Sequence, residues 1–377
     1  MHPLLAIAVW LVMAATAGAC PFCGIVGRSL AERRDTADVV AVGDAAGPAA
    51  RDTAGLLAQR FTVVTVLRAA QDPPGGPVAA RVPAGIEGTA LLFGTRGGDD
   101  DPVAWEAIAA DEALLGHVAA APAVEESAVR RLHWFASRLE HPNPAIAADA
   151  FTEFGLAPFD AVRETAESLD PMRLSLWVGE PAIDQRRRGF YGLALGIAAD
   201  RAADATVRKR CLDALHAAVA ASADDLRAGF DGILAGILVA EGGEGLDDLR
   251  SRGLFAVDTR PGDARHALAA LRFAWESLAD RIPRDLVAAA TADLLLNPAV
   301  AADSAIDLAR YGRWEDCGRV ATLWDSLGRD DPLVRRAVAG YLAACPLDAA
   351  GIHRDRLAAA DPAAWRAAVA AAALPAR

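Results

Sequence analysis

One helix-start pattern recurs along the last two-thirds of the chain, and it limits the possible folds more than any other feature. Asn143-Pro144 is followed by Ile146, Ala150, Phe151 and Phe154. Asn297-Pro298 is followed by Val300, Ala305, Ile306 and Leu308, Asp331-Pro332 by Val334, Val338, Tyr341 and Leu342, and Asp361-Pro362 by Trp365, Ala368 and Val369. Asp204-Ala205 lacks the proline but keeps Val207, Cys211, Leu212 and Leu215. An Asp or Asn side chain caps the free amides of a first helical turn, and proline suits the first helical position. The apolar residues that follow then form one face. The starts are spaced by about 61, 93, 34 and 30 residues, close to multiples of roughly 31, the length of a two-helix repeat. Asp170-Pro171 and Pro261 fill parts of the wider gaps. Abundant alanine suits close helix packing at low entropic cost.

The segment Asp331-Pro-Leu-Val-Arg-Arg-Ala337 resembles the first helix of HEAT repeats, which often reads Asp-Pro-x-Val-Arg-x-x-Ala. The resemblance implies an α-solenoid over residues 122–377, in which each hairpin buries its apolar face on its neighbours. A compact helical domain is the alternative.

Before residue 122 the texture is β-like. Ala37–Gly43, Arg60–Leu67, Pro77–Pro83, Thr89–Phe93 and Val103–Ile108 are short, rich in Val and Thr or alternating, and separated by Gly, Pro and Asp clusters. Five such runs predict a small antiparallel sheet or barrel over residues 20–121, with a short helix over Gly27–Arg34 before it. The fold class expected is therefore α+β, a β-domain followed by helices. The runs Ala37–Gly43, Phe61–Leu67 and Leu91–Gly94, behind a Cys-containing amino end, resemble the netrin-like or TIMP-like family of OB-type barrels. In that family's inhibitors the first cysteine chelates the zinc of a target metalloprotease, a role the resemblance would give to Cys20. Those inhibitors also tie cysteines into the barrel, whereas no cysteine lies between residues 24 and 210 here.

At the amino end an apolar run from Leu4 to Ala17 meets Ala17-Gly18-Ala19 and then Cys20-Pro21-Phe22-Cys23. Small residues at −3 and −1 after a short apolar core mark a secretory signal over residues 1–19, so we expect an exported chain, periplasmic or extracellular, beginning at Cys20. In an oxidising compartment the expected state of Cys20 and Cys23 is a disulfide. Two other readings stay open. Lipidation of Cys20 would anchor the chain to the envelope. C-P-F-C also resembles thiol–disulfide oxidoreductase sites, although those follow a buried strand and only the signal precedes this one. A haem site is excluded because Gly24, not His, follows Cys23.

The net charge of −12 argues against nucleic acid and anionic lipid as partners. No HExxH pair, P-loop, dinucleotide glycine fingerprint or G-x-S-x-G is present, so no catalytic residue, metal site or cofactor is expected. His133 and His141 are too far apart in sequence for a helical pair, and Asp99–Asp101 reads as a solvated loop. Cys211 and Cys317 fall on apolar helix faces and read as small buried hydrophobes; Cys345 closes its helix before Pro346. Gly192-Leu-Ala-Leu-Gly196 is a close-packing signature. Arg186, Arg187, Arg188 and Tyr191 form the one concentrated basic spot. It reads either as a solvated helix end matched to the dipole or as a contact for an anion or acidic partner. Overall the layout resembles a group of uncharacterised secreted bacterial proteins with a C-x-x-C mature terminus, a small β-domain and degenerate HEAT-like repeats. Leu139–Ala150 and Leu268–Glu276 carry the likeness, which implies no activity. The function expected is an interaction or scaffold role toward an unknown protein or cell-envelope component.

Overall fold

A computed structural model describes residues 27–69, 76–98, 101–180, 182–221 and 227–373. The chain is α+β, with a small barrel followed by helices. Its division into two compact units falls at residues 162/163.

The first unit opens with α1 (Leu30–Thr36), capped by the Ser29 side chain on Glu32 N. Six strands follow: β1 (Val39–Ala45), β2 (Ala50–Arg51), β3 (Leu57–Ala69), β4 (Val78–Arg81), β5 (Thr89–Thr95) and β6 (Ala104–Ala109). β1 pairs with both β3 and β5, β3 with β4, β4 with β6, and β6 with β5, so these five strands close a ring. The expected antiparallel sheet needs one correction, because β4 and β6 run parallel. The ring order sets the crossover strand β6 between β4 and β5, and only a parallel pairing lets it close there. The two-residue β2, paired to the start of β3, is too short to leave a sequence signal.

Inside the barrel lie Val39, Phe61, Val78, Ala80, Ile86, Leu92 and Trp105. Val40, Leu91 and Phe93 point the other way and are also buried, against Leu114, Val118 and Ile146. β1 and β5 are thus covered on both faces, which explains their unbroken apolar runs. Gln59 is 4% exposed and fastens two loops. Its Nε2 donates to Gly47 O and Ile86 O at 2.8 Å each, and its Oε1 accepts from Ile86 N at 2.9 Å.

Helices begin before the expected boundary at 122. α2 (Glu112–Ala120), α3 (Ala128–Ala136) and α4 (Pro144–Leu156) are capped by Asp111, Ser127 and Asn143 and belong to the first unit. They stay with the barrel because the outer faces of β1 and β5 need apolar cover. α5 (Phe159–Ala166) spans the division.

The second unit contains α6 (Pro171–Gly179), α7 (Gln185–Arg201), α8 (Ala205–Ala220), α9 (Phe230–Glu241), α10 (Gly243–Ser251) and α11 (Pro261–Ser277). It continues with α12 (Arg284–Asp293), α13 (Ala301–Tyr311), α14 (Cys317–Thr322), α15 (Pro332–Ala344), α16 (Asp348–Ala360) and α17 (Pro362–Ala372). Asp170, Asp204, Asp331 and Asp361 cap their helices as expected. Asn297-Pro298 does not start a helix. The buried Asn297 amide donates to Thr259 O at 2.9 Å, its Oδ1 accepts from Ala299 N, and α13 begins only at Ala301. The Oδ1 bond matches that of the capping aspartates, but the chain makes a turn over residues 298–300 before the helix starts, while the amide nitrogen holds the neighbouring loop.

Packing in this unit links alternate helices. α6 packs on α8, α7 on α9, α9 on α11, α13 on α15, α15 on α17 and α14 on α16, while α12 bridges α11 and α13. α7 and α9 touch backbone to backbone. A Cβ on Gly196 would lie 2.2 Å from Gly236 O, one on Gly236 2.2 Å from Gly192 O, and one on Gly232 2.0 Å from Gly189 O. Any side chain at these positions would hold the two helices apart.

Candidate functional site

Cys20 and Cys23 lie outside the described residues. The basic spot is placed at the start of α7, with Arg187 and Arg188 half-buried in its first turn. That corrects the dipole reading, since cations at an amino end oppose the helix field. Tyr191 is also corrected as a surface contact. It is fully buried, with its ring 4.9 Å from that of Trp177 and 5.5 Å from that of Phe190. The reason is that α7 is buried on every side from Gly189 to Ala199, so no face is left for a partner.

A polar cluster in the first unit was not anticipated. Asp149 and Glu153 sit one turn apart on the buried face of α4, 5% and 4% exposed. Asp149 Oδ1 accepts from Leu30 N in the first turn of α1 at 2.6 Å, and its Oδ2 lies 2.8 Å from His117 Nε2 on α2. The imidazole packs against the rings of Trp134 and Phe135. Arg131 Nη2 on α3 donates to Glu153 Oε2 at 2.5 Å. Two carboxylates of one helix thereby fasten three others. Burial pushes the Glu153 carboxyl above its usual range, against the opposing pull of Ser29 and Arg131. Beside the pair lies a cavity of about 260 Å³ lined by Glu32, Val124, Ala128, Leu156 and Pro158. Glu153 Oε1 and Arg131 Nε find no partner among the described residues. The arrangement can hold a proton or a small polar molecule. Ser29 Oγ accepts from Glu32 N at 3.1 Å, and its hydroxyl also hydrogen-bonds the Glu153 carboxyl. The sequence signal was present as two acids interrupting the apolar run from Ile146 to Phe154.

The second unit carries an open groove of about 420 Å³ across α13, α15 and α17. Ala309, Ala337, Gly340 and Ala372 give it a floor of small residues, and Ile306, Arg310 and Arg336 stand around it. The Arg310 side chain is 67% exposed, reaching Asp307 Oδ1 at 3.3 Å. Beneath the groove Asp307, 1% exposed, accepts from Arg272 Nε on α11 at 2.5 Å. Burial lifts the Asp307 carboxyl above its usual range while Arg272 draws it back. Tyr311 stacks on Trp275 with centroids 3.9 Å apart, and burial raises its phenol. α13 is therefore held rigidly from behind while its other face fronts the groove.

Among the described residues no three His, Cys, Asp or Glu side chains are placed to hold a metal ion. No described helix is long and apolar enough to cross a membrane. Comparison with known proteins finds no family model, curated protein or solved structure that matches the chain.

Proposed function

We propose that this is an exported interaction protein whose helical unit is a HEAT-like solenoid and whose groove across α13, α15 and α17 receives a partner. The observation that carries the reading is the packing of alternate helices, α7 on α9 on α11 and α13 on α15 on α17. Each helix of such a series rests on its counterpart in the next hairpin, the arrangement that makes a solenoid and lays an extended surface along it. The groove fits a segment of a protein or cell-envelope component that has small apolar side chains and an acidic group. Small floor residues admit close approach, and Arg310 and Arg336 are cations in a chain of net charge −12. The closed five-stranded ring with one parallel pair supports an OB-type reading of the barrel, as a module set before the solenoid. Export rests on the signal pattern over residues 1–19, with Cys20 and Cys23 joined or Cys20 lipidated at the mature end.

The test compares the parent chain with a double variant, Arg310→Glu with Arg336→Glu, as baits in envelope extract at low and high salt. The reading expects a partner bound by the parent, weakened by salt and absent from the variant. Binding unchanged by charge reversal, or no specific partner, overturns the groove assignment. Mass spectrometry of the mature amino terminus separates a disulfide, a diacylated Cys20 and a chain still beginning at Met1. The last result overturns export.

A further inference from the structure

Cys317 opens α14 and Cys345 caps the carboxyl end of α15. The two helices pack together, and both cysteines lie in one apolar cluster with Val320, Val338, Tyr341 and Leu342. They are 6% and 4% exposed. A charge on either thiol bears on the Tyr341 phenol, Cys345 also acts on the Cys317 thiol, and no bond joins the two cysteines. Cys211 is buried elsewhere, on α8, and is not in this cluster.

We propose that Cys317 and Cys345 are a redox modification site that closes to a disulfide when the chain folds in oxidising surroundings. For the protein in its cell this rests on the export reading above; the chemistry of the pair does not. The oxidant is a small-molecule or protein disulfide. The thiolate of one cysteine attacks it, giving a mixed disulfide and releasing one thiol. The other cysteine, as thiolate, then displaces the second thiol, so that the protein's two sulfurs lose two electrons and two protons and the oxidant is reduced to two thiols. Burial pushes the Cys317 thiol upward, which makes it a poor nucleophile in the folded protein. Exchange therefore belongs to folding, before the cluster shuts. The bond would enclose residues 318–344 and fix α14 to the end of α15, adding a covalent tie in the last part of the helical unit.

The test uses the full chain from a reducing cytosol, unfolded and refolded in glutathione buffer with the oxidised form in excess. The product is digested and examined by mass spectrometry without reduction. The expected result is a linked peptide pair containing Cys317 and Cys345, retained in Cys211→Ala. The melting temperature of the parent should rise by roughly 5–10 °C on oxidation. Cys345→Ala should show no such rise. Free Cys317 and Cys345, glutathione adducts on them alone, or their linkage to Cys20, Cys23 or Cys211 would overturn the proposal. The refolding requires no secretion, so it stands or falls separately from the export reading.

Discussion

Replacing Gly236 with alanine tests whether α7 and α9 are held by direct backbone contact. The new Cβ would lie 2.2 Å from Gly192 O and 2.9 Å from Gly192 C. Ordinary contact begins at 3.4 Å, so the carbon falls short of it by about 1.2 Å. A flexible side chain could swing aside, but a carbonyl in mid-helix cannot. The helices must separate, and the interdigitated side chains around Leu193, Ile233 and Ile237 then lose their contacts. Overpacking a core costs up to about 3 kcal/mol, and alanine returns about 1 kcal/mol of helix propensity. The net expectation is a loss of about 2 kcal/mol, which lowers the melting temperature of a unit this size by roughly 4–8 °C. Denaturant and thermal unfolding followed by circular dichroism would measure it. Gly179→Ala is the control, because that Cβ meets nothing within 4 Å. If Gly236→Ala is as stable as Gly179→Ala, the close approach of α7 and α9 is wrong.

Three further perturbations test other parts of the molecule. Arg272→Leu leaves Asp307 buried without its main partner and should cost about 3 kcal/mol near neutral pH. In that variant the native carboxyl binds its proton more tightly than the unfolded chain does, so the deficit should be largest at about pH 8 and shrink toward about pH 4. A pH-independent deficit in urea titrations would refute the role of the pair. Asp149→Ala removes the acceptor for Leu30 N and the His117 contact together, and should cost the first unit about 2–4 kcal/mol. Hydrogen exchange would locate the loss in α1 and α2, and protection unchanged there would count against the lock. Gln59→Ala leaves the buried Ile86 amide unpaired and should cost about 2 kcal/mol, with amide exchange quickening at Ile86 and not in the helices.

Local grammar was legible in this sequence wherever one residue had one task. Asp331, Asp361, Asp170 and Asp204 cap helices and do little else, so their positions could be read directly. Val-rich runs between Gly and Pro clusters marked all five long strands. Asn297 makes the expected bond to the amide two residues on, yet its helix starts only at Ala301, because its amide nitrogen also holds a loop distant in sequence, which no local pattern reveals. Tyr191 was misread for a related reason: three arginines suggest a wet surface, but α7 is covered by α6, α8 and α9, neighbours chosen by topology. The parallel placement of β6 and the cover that α2–α4 give the barrel are likewise non-local. The lock of Asp149 and Glu153 was half visible, as acids out of place on an apolar face, but its partners come from three other segments. The groove left almost no trace, because alanine and glycine look alike whether they floor a depression or pack a core.

The position of β6 bears on how the first unit is born. β6 is the last strand among the described residues, and among them it alone links β4 and β5 and so closes the ring. Until Ala109 has emerged, the preceding strands are a sheet with two raw margins and a wet interior around Phe61 and Leu92. A chain stalled or clipped ahead of this strand would present those margins to any extended polypeptide nearby, so the span between the first and last strands is the interval in which it most needs shelter.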